Sequence, residues 1–208
     1  MITLMFGGIT WLKEETRRNL RKRKNRKKAL KKSENKKKKK TRNLHDFNRD
    51  RRMTNNDILR RIRYIFDFSD SQMISIFGLA DLEVTREQVS DWLKKEDDPA
   101  YQNCSDVQLA IFLNGLINKK RGKKEGPQPK PEKRLTNNII FRKLKIALDL
   151  KAEDVLEILE MANVVISKHE LSAFFRRPDH KHFRKCKDQV LRNFLKGMQL
   201  KYRDTKSV

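Results

Sequence analysis

The strongest constraint on the fold is that the chain repeats itself. Residues 54–62 read TNNDILRRI and residues 136–144 read TNNIIFRKL, and the offset of 82 between them continues without a gap over roughly 70 residues. Ile58 falls on Ile140, Arg60 on Arg142, Asp67 on Asp149 and Ile76 on Ile158. Further along, Ser90 falls on Ser172, Asp97 on Asp179, Cys104 on Cys186 and Asp106 on Asp188. Leu109, Phe112, Leu113 and Gly115 then meet Leu191, Phe194, Leu195 and Gly197. A self-match at a fixed period marks one structural unit used twice. The fold must therefore be two equivalent halves.

Each half carries four helical patterns. Ile58, Leu59, Ile62, Ile65 and Phe66 form an apolar stripe at helical spacing, repeated by Ile140, Phe141, Leu144, Ala147 and Leu148. Met73, Ile76, Phe77 and Ala80 define a second helix, matched by Val155, Ile158, Leu159 and Ala162. The third opens on a capping box, Thr85 with Gln88 and Ser167 with Glu170, flanked by the staple pairs Val84–Val89 and Ile166–Leu171. The fourth begins near Cys104 or Cys186, where Asp106 or Asp188 complements the helix dipole. Gly115 and Gly197 lie mid-helix, where Gly costs about 1 kcal/mol against Ala. Their recurrence predicts a close backbone approach. With Thr54 or a neighbouring Asn as N-cap, Met53 and Leu135 fall at staple positions against Ile58 and Ile140. No strand-type alternation of useful length is present, so the expected fold is all-α, two tandem four-helix units related by a pseudo-twofold axis.

Charge divides the chain unevenly. The net +24 is carried by residues 1–52, with 21 Lys and Arg against 5 Asp and Glu, and by residues 123–208, with 21 against 11; residues 53–122 hold 9 against 11. The apolar opening MITLMFGGITWL is shorter than the roughly 20 residues a membrane span needs and lacks the flanks of a signal peptide. The Lys-rich run that follows cannot bury enough apolar area to offset chain entropy. Residues 1–52 are accordingly expected to be a disordered basic extension, with Met53 a candidate start of the protein. Residues 53–122 are the first helical repeat, 123–134 a Pro- and Gly-rich linker, and 135–208 the second repeat.

The blocks NDILRRIRY, REQVSDWLKKED, FLNGLI, TNNI with RKLKIAL, PDHKHFRKC and LRNFLKG give residues 53–203 a resemblance to the YehS-like family of bacterial domains of unknown function. The resemblance implies a cytosolic bacterial protein of two tandem copies. It implies no activity, and residues 1–52 depart from its pattern.

Candidate sites are few. His180, His182 and Cys186 offer zinc-type ligands in a short loop, but no second cluster completes a site, and the first repeat has Asp98, Ala100 and Cys104 at those positions. Solvated histidines and a buried thiol explain the loop without a metal. A Cys186–His182 nucleophilic pair meets the same objection. Gly-rich phosphate loops are absent. No catalytic residue and no cofactor emerge. The remaining signal is basic surface: Arg142, Lys143 and Lys145 opposite the apolar stripe of their helix, and Arg176, Arg177, Lys181, Arg184, Lys185 and Lys187 in the second repeat's last loop. Cations of this kind neutralise phosphates. Phe183 stands among them and could stack on an unpaired base, but its alignment with Tyr101 points to packing. The leading expectation is a cytoplasmic, non-enzymatic module contacting RNA or DNA through the second repeat. The alternative is a protein–protein interaction module, followed by a metal protein or enzyme using the His180–Cys186 loop. No membrane partner is expected.

Overall fold

Each TNN triplet opens a helix, and its three side chains do three different jobs. In the computed structural model, which describes residues 53–204, Thr54 is the N-cap of α1 (Asn55–Phe66), accepting from the Asp57 amide while the Asp57 carboxylate accepts from the Thr54 amide. Asn55 reaches across to the start of the fourth helix, donating to Cys104 O at 3.1 Å and Asp106 Oδ1 at 2.7 Å. Asn56 turns inward and is fully buried. The second triplet repeats the design: Thr136 caps α5 (Asn137–Ala147), Asn137 bonds Cys186 O and Asp188 Oδ1, and Asn138 is buried.

Between these helices lie α2 (Asp70–Gly78), α3 (Arg86–Leu93) and α4 (Asp106–Arg121) in the first repeat. The second continues with α6 (Ala152–Met161), α7 (Lys168–Phe174) and α8 (Asp188–Tyr202). No strand occurs among the described residues. The expected capping boxes at Thr85 and Ser167 are formed, with others at Ser69 and Ser105. The left-handed backbone positions also pair at the offset of 82: Asp67 with Asp149, and Asp81 with Asn163.

Within each repeat the second and fourth helices pack closely, α2 on α4 and α6 on α8. A Cβ placed on Gly115 would lie 1.8 Å from Ile76 O, and one on Gly197 1.8 Å from Ile158 O. Only a hydrogen fits there, which explains both mid-helix glycines. Between repeats the first helix of one lies on the last helix of the other, α1 on α8 and α4 on α5. The helices thus exchange partners about a pseudo-twofold axis, and one continuous core runs through both repeats.

Polar contacts follow the same symmetry. Asp106 accepts from Asn55 of its own repeat on Oδ1 and from the Leu135 amide of the other on Oδ2, at 2.9 Å. Asp188 accepts from Asn137 and, at 3.1 Å, from the Met53 amide. Arg121 pairs with Asp149 at 2.6 Å, and Arg203 with Asp67 at 3.3 Å. The first-turn acids therefore join the two repeats as well as complementing their own helices.

The expectations for residues 1–52, disorder and a start at Met53, lie outside the described residues, as do residues 205–208. Among the described residues no helix is long and apolar enough to cross a membrane.

Candidate functional site

Two buried asparagines set the geometry of the loops that carry the candidate residues. Asn138 Nδ2 donates to Phe174 O at 2.9 Å and Arg184 O at 2.8 Å, while its Oδ1 accepts from the Cys186 amide at 2.9 Å. One side chain on α5 thereby holds the end of α7 and the whole loop into α8. Asn56 does the same for the first repeat through Trp92 O, Gln102 O and the Cys104 amide. It makes a fourth bond, accepting from the Tyr101 hydroxyl at 3.1 Å. Phe183 occupies the Tyr101 position in the second repeat and has no hydroxyl to anchor there.

The loop so held forms one wall of a cleft of about 1110 Å³. Its floor is α4 and α5, and residues 123–134 lie along its other side as a strap. The strap is tied down at several places, among them one contact from α4 and one from α5. Asn118 donates to Gln128 Oε1 at 2.9 Å, and Lys143 Nζ pairs with Glu132 Oε1 at 3.0 Å. The linker expected merely to separate the halves is part of the site.

Of the nine basic candidates, Arg142, Lys143, Arg176 and Lys185 line this cleft, whereas Lys145, Arg177, Lys181, Arg184 and Lys187 lie outside its lining. Lys143 departs from the expected solvent-facing placement. It is 8% exposed, bonded to Asn114 Oδ1 as well as Glu132, so its charge is already compensated. The reason is the exchange of helices between repeats: the side of α5 opposite its own core lies against α4.

The first repeat serves as an internal control for the others. Arg60, the counterpart of Arg142, pairs with Asp57 at 2.6 Å, but position 57 has become Ile139. Lys94, the counterpart of Arg176, pairs with Asp91 at 2.8 Å, but position 91 has become Ala173. Lys185 replaces the neutral Asn103. In the second repeat the cations remain and their carboxylates are gone. Among the described residues Arg142, Arg176 and Lys185 have no ion pair; Arg142 donates to Phe175 O at 2.7 Å, and Arg176 approaches Ser172 Oγ at 3.5 Å.

Apolar groups reach the cleft too. Ile117 of α4, Ile139 and Ile146 of α5, and Phe183 and Pro178 of the loop all line it. Ile146 is 46% exposed, unusual for so large an aliphatic side chain. Of these lining residues, the sequence singled out only Phe183; it did not point to the others, nor to Arg121 and Lys124, which also line the cleft. The replacement of Asp57 by Ile139 and of Asp91 by Ala173 was nevertheless readable at the offset of 82.

The metal candidates do not converge. His180 and His182 are exposed and adjacent, with ring centroids 5.7 Å apart and the His182 amide donating to His180 Nδ1. Cys186 is buried beneath Asn138, and burial, followed by the nearby Asp188 charge, pushes its thiol up to about 12. A thiol held protonated in this way is a poor ligand and a poor nucleophile. Among the described residues no group of three or more His, Cys, Asp or Glu could hold a metal ion.

Comparison with known proteins agrees with this architecture. The chain is 48% identical over 147 residues, 70% of its length and 94% of the relative's, to the uncharacterized protein YehS of Escherichia coli (strain K12). No solved structure matches. A family model described as protein of unknown function (DUF1456) matches twice, at residues 55–122 and 137–204, once on each repeat, and the chain belongs to that family.

Proposed function

We propose that the protein is a cytosolic, non-enzymatic nucleic-acid-binding module whose second repeat grips phosphates with Arg142, Arg176 and Lys185. The observation that carries this reading is the loss of carboxylates between otherwise equivalent halves. Arg60 and Lys94 are neutralised locally, and their counterparts Arg142 and Arg176 are not. A solvated surface used only for solubility has no need to shed its acids beside retained cations, whereas a phosphate-binding surface does. Guanidinium groups also match phosphate oxygens in a bidentate fork.

The test measures binding of a fluorescent oligonucleotide to the nuclease-treated full chain as a function of salt, against Arg142→Gln/Arg176→Gln/Lys185→Gln. Each phosphate contact contributes about −0.7 to the log–log salt slope for a single strand, so the triple variant should flatten the slope by about 2. Residues 1–52 contribute to both curves, so the difference reports the cleft. An unchanged slope with unchanged affinity would refute the assignment. Retention of a nuclease-resistant protein partner, with no oligonucleotide binding at low salt, would favour the protein-interaction reading.

A further inference from the structure

Resting on the reading above, we infer that the cleft takes an unpaired nucleic-acid strand, whose bases lie on its apolar floor, and discriminates against duplex. Phosphate attraction alone explains the basic rim but not what lies beneath it. Ile117, Ile139, Ile146 and Phe183 line the cleft, and the pseudo-equivalent groove between α8 and α1 shows that the fold does not require them. That groove encloses about 440 Å³ and is lined at the corresponding positions by Gln199, Asp57 and Tyr64. Tyr101, aligned with Phe183, is tied by its hydroxyl to Asn56. The apolar lining is thus particular to the groove in which, among the described residues, Arg142, Arg176 and Lys185 have no carboxylate partner.

A duplex presents phosphate and sugar outward and keeps its base faces stacked, so it would leave this floor uncovered. An unpaired strand supplies both parts: π faces that bury apolar surface, and a phosphate with each base for the rim. The volume of about 1110 Å³ lies just above the range of sites that surround small ligands, which suits a few splayed nucleotides better than a rigid helix. Residues 123–134 close one side of the cleft through the Asn118–Gln128 and Lys143–Glu132 contacts. The basic residues 1–52 are an unsuitable occupant, since their charge has the same sign as the rim.

The experiment titrates the full chain with four fluorescent probes of one mixed sequence, RNA and DNA, each single-stranded and as a duplex, at fixed low salt. At least one single strand is expected to bind about tenfold more tightly than its duplex, since stacking on an aromatic contributes that order of affinity per base. In Phe183→Ala and in Ile146→Gln the preference should shrink to about threefold or less with duplex binding unchanged. Ile146 is half exposed, so its replacement leaves the core intact should Phe183→Ala fail to fold. Duplex binding as tight as single-strand binding, or equal loss of both in Ile146→Gln, would overturn this inference while leaving phosphate binding standing. No binding of any probe at low salt would overturn the underlying reading as well. A stronger response to RNA than to DNA would assign the 2′-hydroxyl a part in recognition.

Discussion

Replacing Asn56 by Ala should be among the most damaging single changes in the protein, although Asn56 touches no candidate ligand. Its side chain makes four hydrogen bonds to the end of α3 and the loop entering α4, with Trp92 O at 2.9 Å, Gln102 O at 2.8 Å, the Cys104 amide at 3.0 Å and the Tyr101 hydroxyl at 3.1 Å. The bonds to Trp92 and Cys104 are buried, so truncation leaves a carbonyl and an amide that water cannot reach. Each orphaned group costs about 1–3 kcal/mol, and Gln102 O and the Tyr101 hydroxyl are placed to turn toward solvent. The expected loss is therefore about 3–5 kcal/mol, a large share of the roughly 5–15 kcal/mol that stabilises a typical domain. Urea unfolding of the full chain, followed by helical circular dichroism, should show the midpoint falling with the denaturant slope preserved. Asn138→Ala, which removes three corresponding bonds, should cost a similar amount. Asn56→Asp should not rescue, because a carboxylate keeps the acceptor but cannot donate to Trp92 or Gln102. A loss below about 1 kcal/mol, the size of an ordinary surface substitution, would refute the claim that this asparagine holds the loop.

Other consequences can be checked independently. Gly115→Ala or Gly197→Ala places a methyl group against a backbone carbonyl, so α2 and α4, or α6 and α8, must separate; thermal unfolding should show a loss of about 3 kcal/mol or more. Cys104 and Cys186 are buried, and burial raises both thiols to about 12, so a thiol reagent at about pH 8 should label neither in the native chain and both in urea. Burial works to raise the pKa of Asp57, yet hydrogen bonds from Thr54 and the Arg60 guanidinium hold it below its ordinary 3.8. A depressed folded pKa contributes stability above the unfolded value and loses it as pH falls through the folded value. The stability gap between the protein and Asp57→Asn should thus be constant above about pH 5 and close below 3.8.

Much of the fold was legible because duplication printed it twice. The offset of 82 aligned the capping residues, the apolar stripes and both glycines, and the close approach anticipated at Gly115 and Gly197 is present. The site was less legible for definite reasons. Lys143 reads as a solvated lysine because helical periodicity reports the face buried within one repeat, and α5 is covered a second time by α4 of the other. Asn56 and Asn138 read as first-turn residues, whereas their partners lie 36 to 48 residues away in sequence. The strap has a linker's composition, and its place over the cleft depends on contacts from Asn118 and Lys143 that no local pattern encodes.

Central to the proposed function is that cations of the second repeat lack the carboxylates that neutralise their counterparts in the first. Restoring first-repeat residues tests it directly: Ile139→Asp supplies Arg142 with the partner Arg60 has, and Lys185→Asn returns the neutral residue found at position 103. Because position 139 corresponds to Asp57, the new carboxylate also completes a capping box with Thr136, so stability should change by no more than about 1 kcal/mol. For three cleft cations the single-strand salt slope contribution is about −2.1, an affinity loss of about 18-fold between 50 and 200 mM salt. With two neutralised it becomes about −0.7, a loss of about 2.6-fold. The double variant should therefore melt normally and flatten the measured slope by about 1.4. A double variant that folds normally and keeps the parent's slope and affinity would contradict the account.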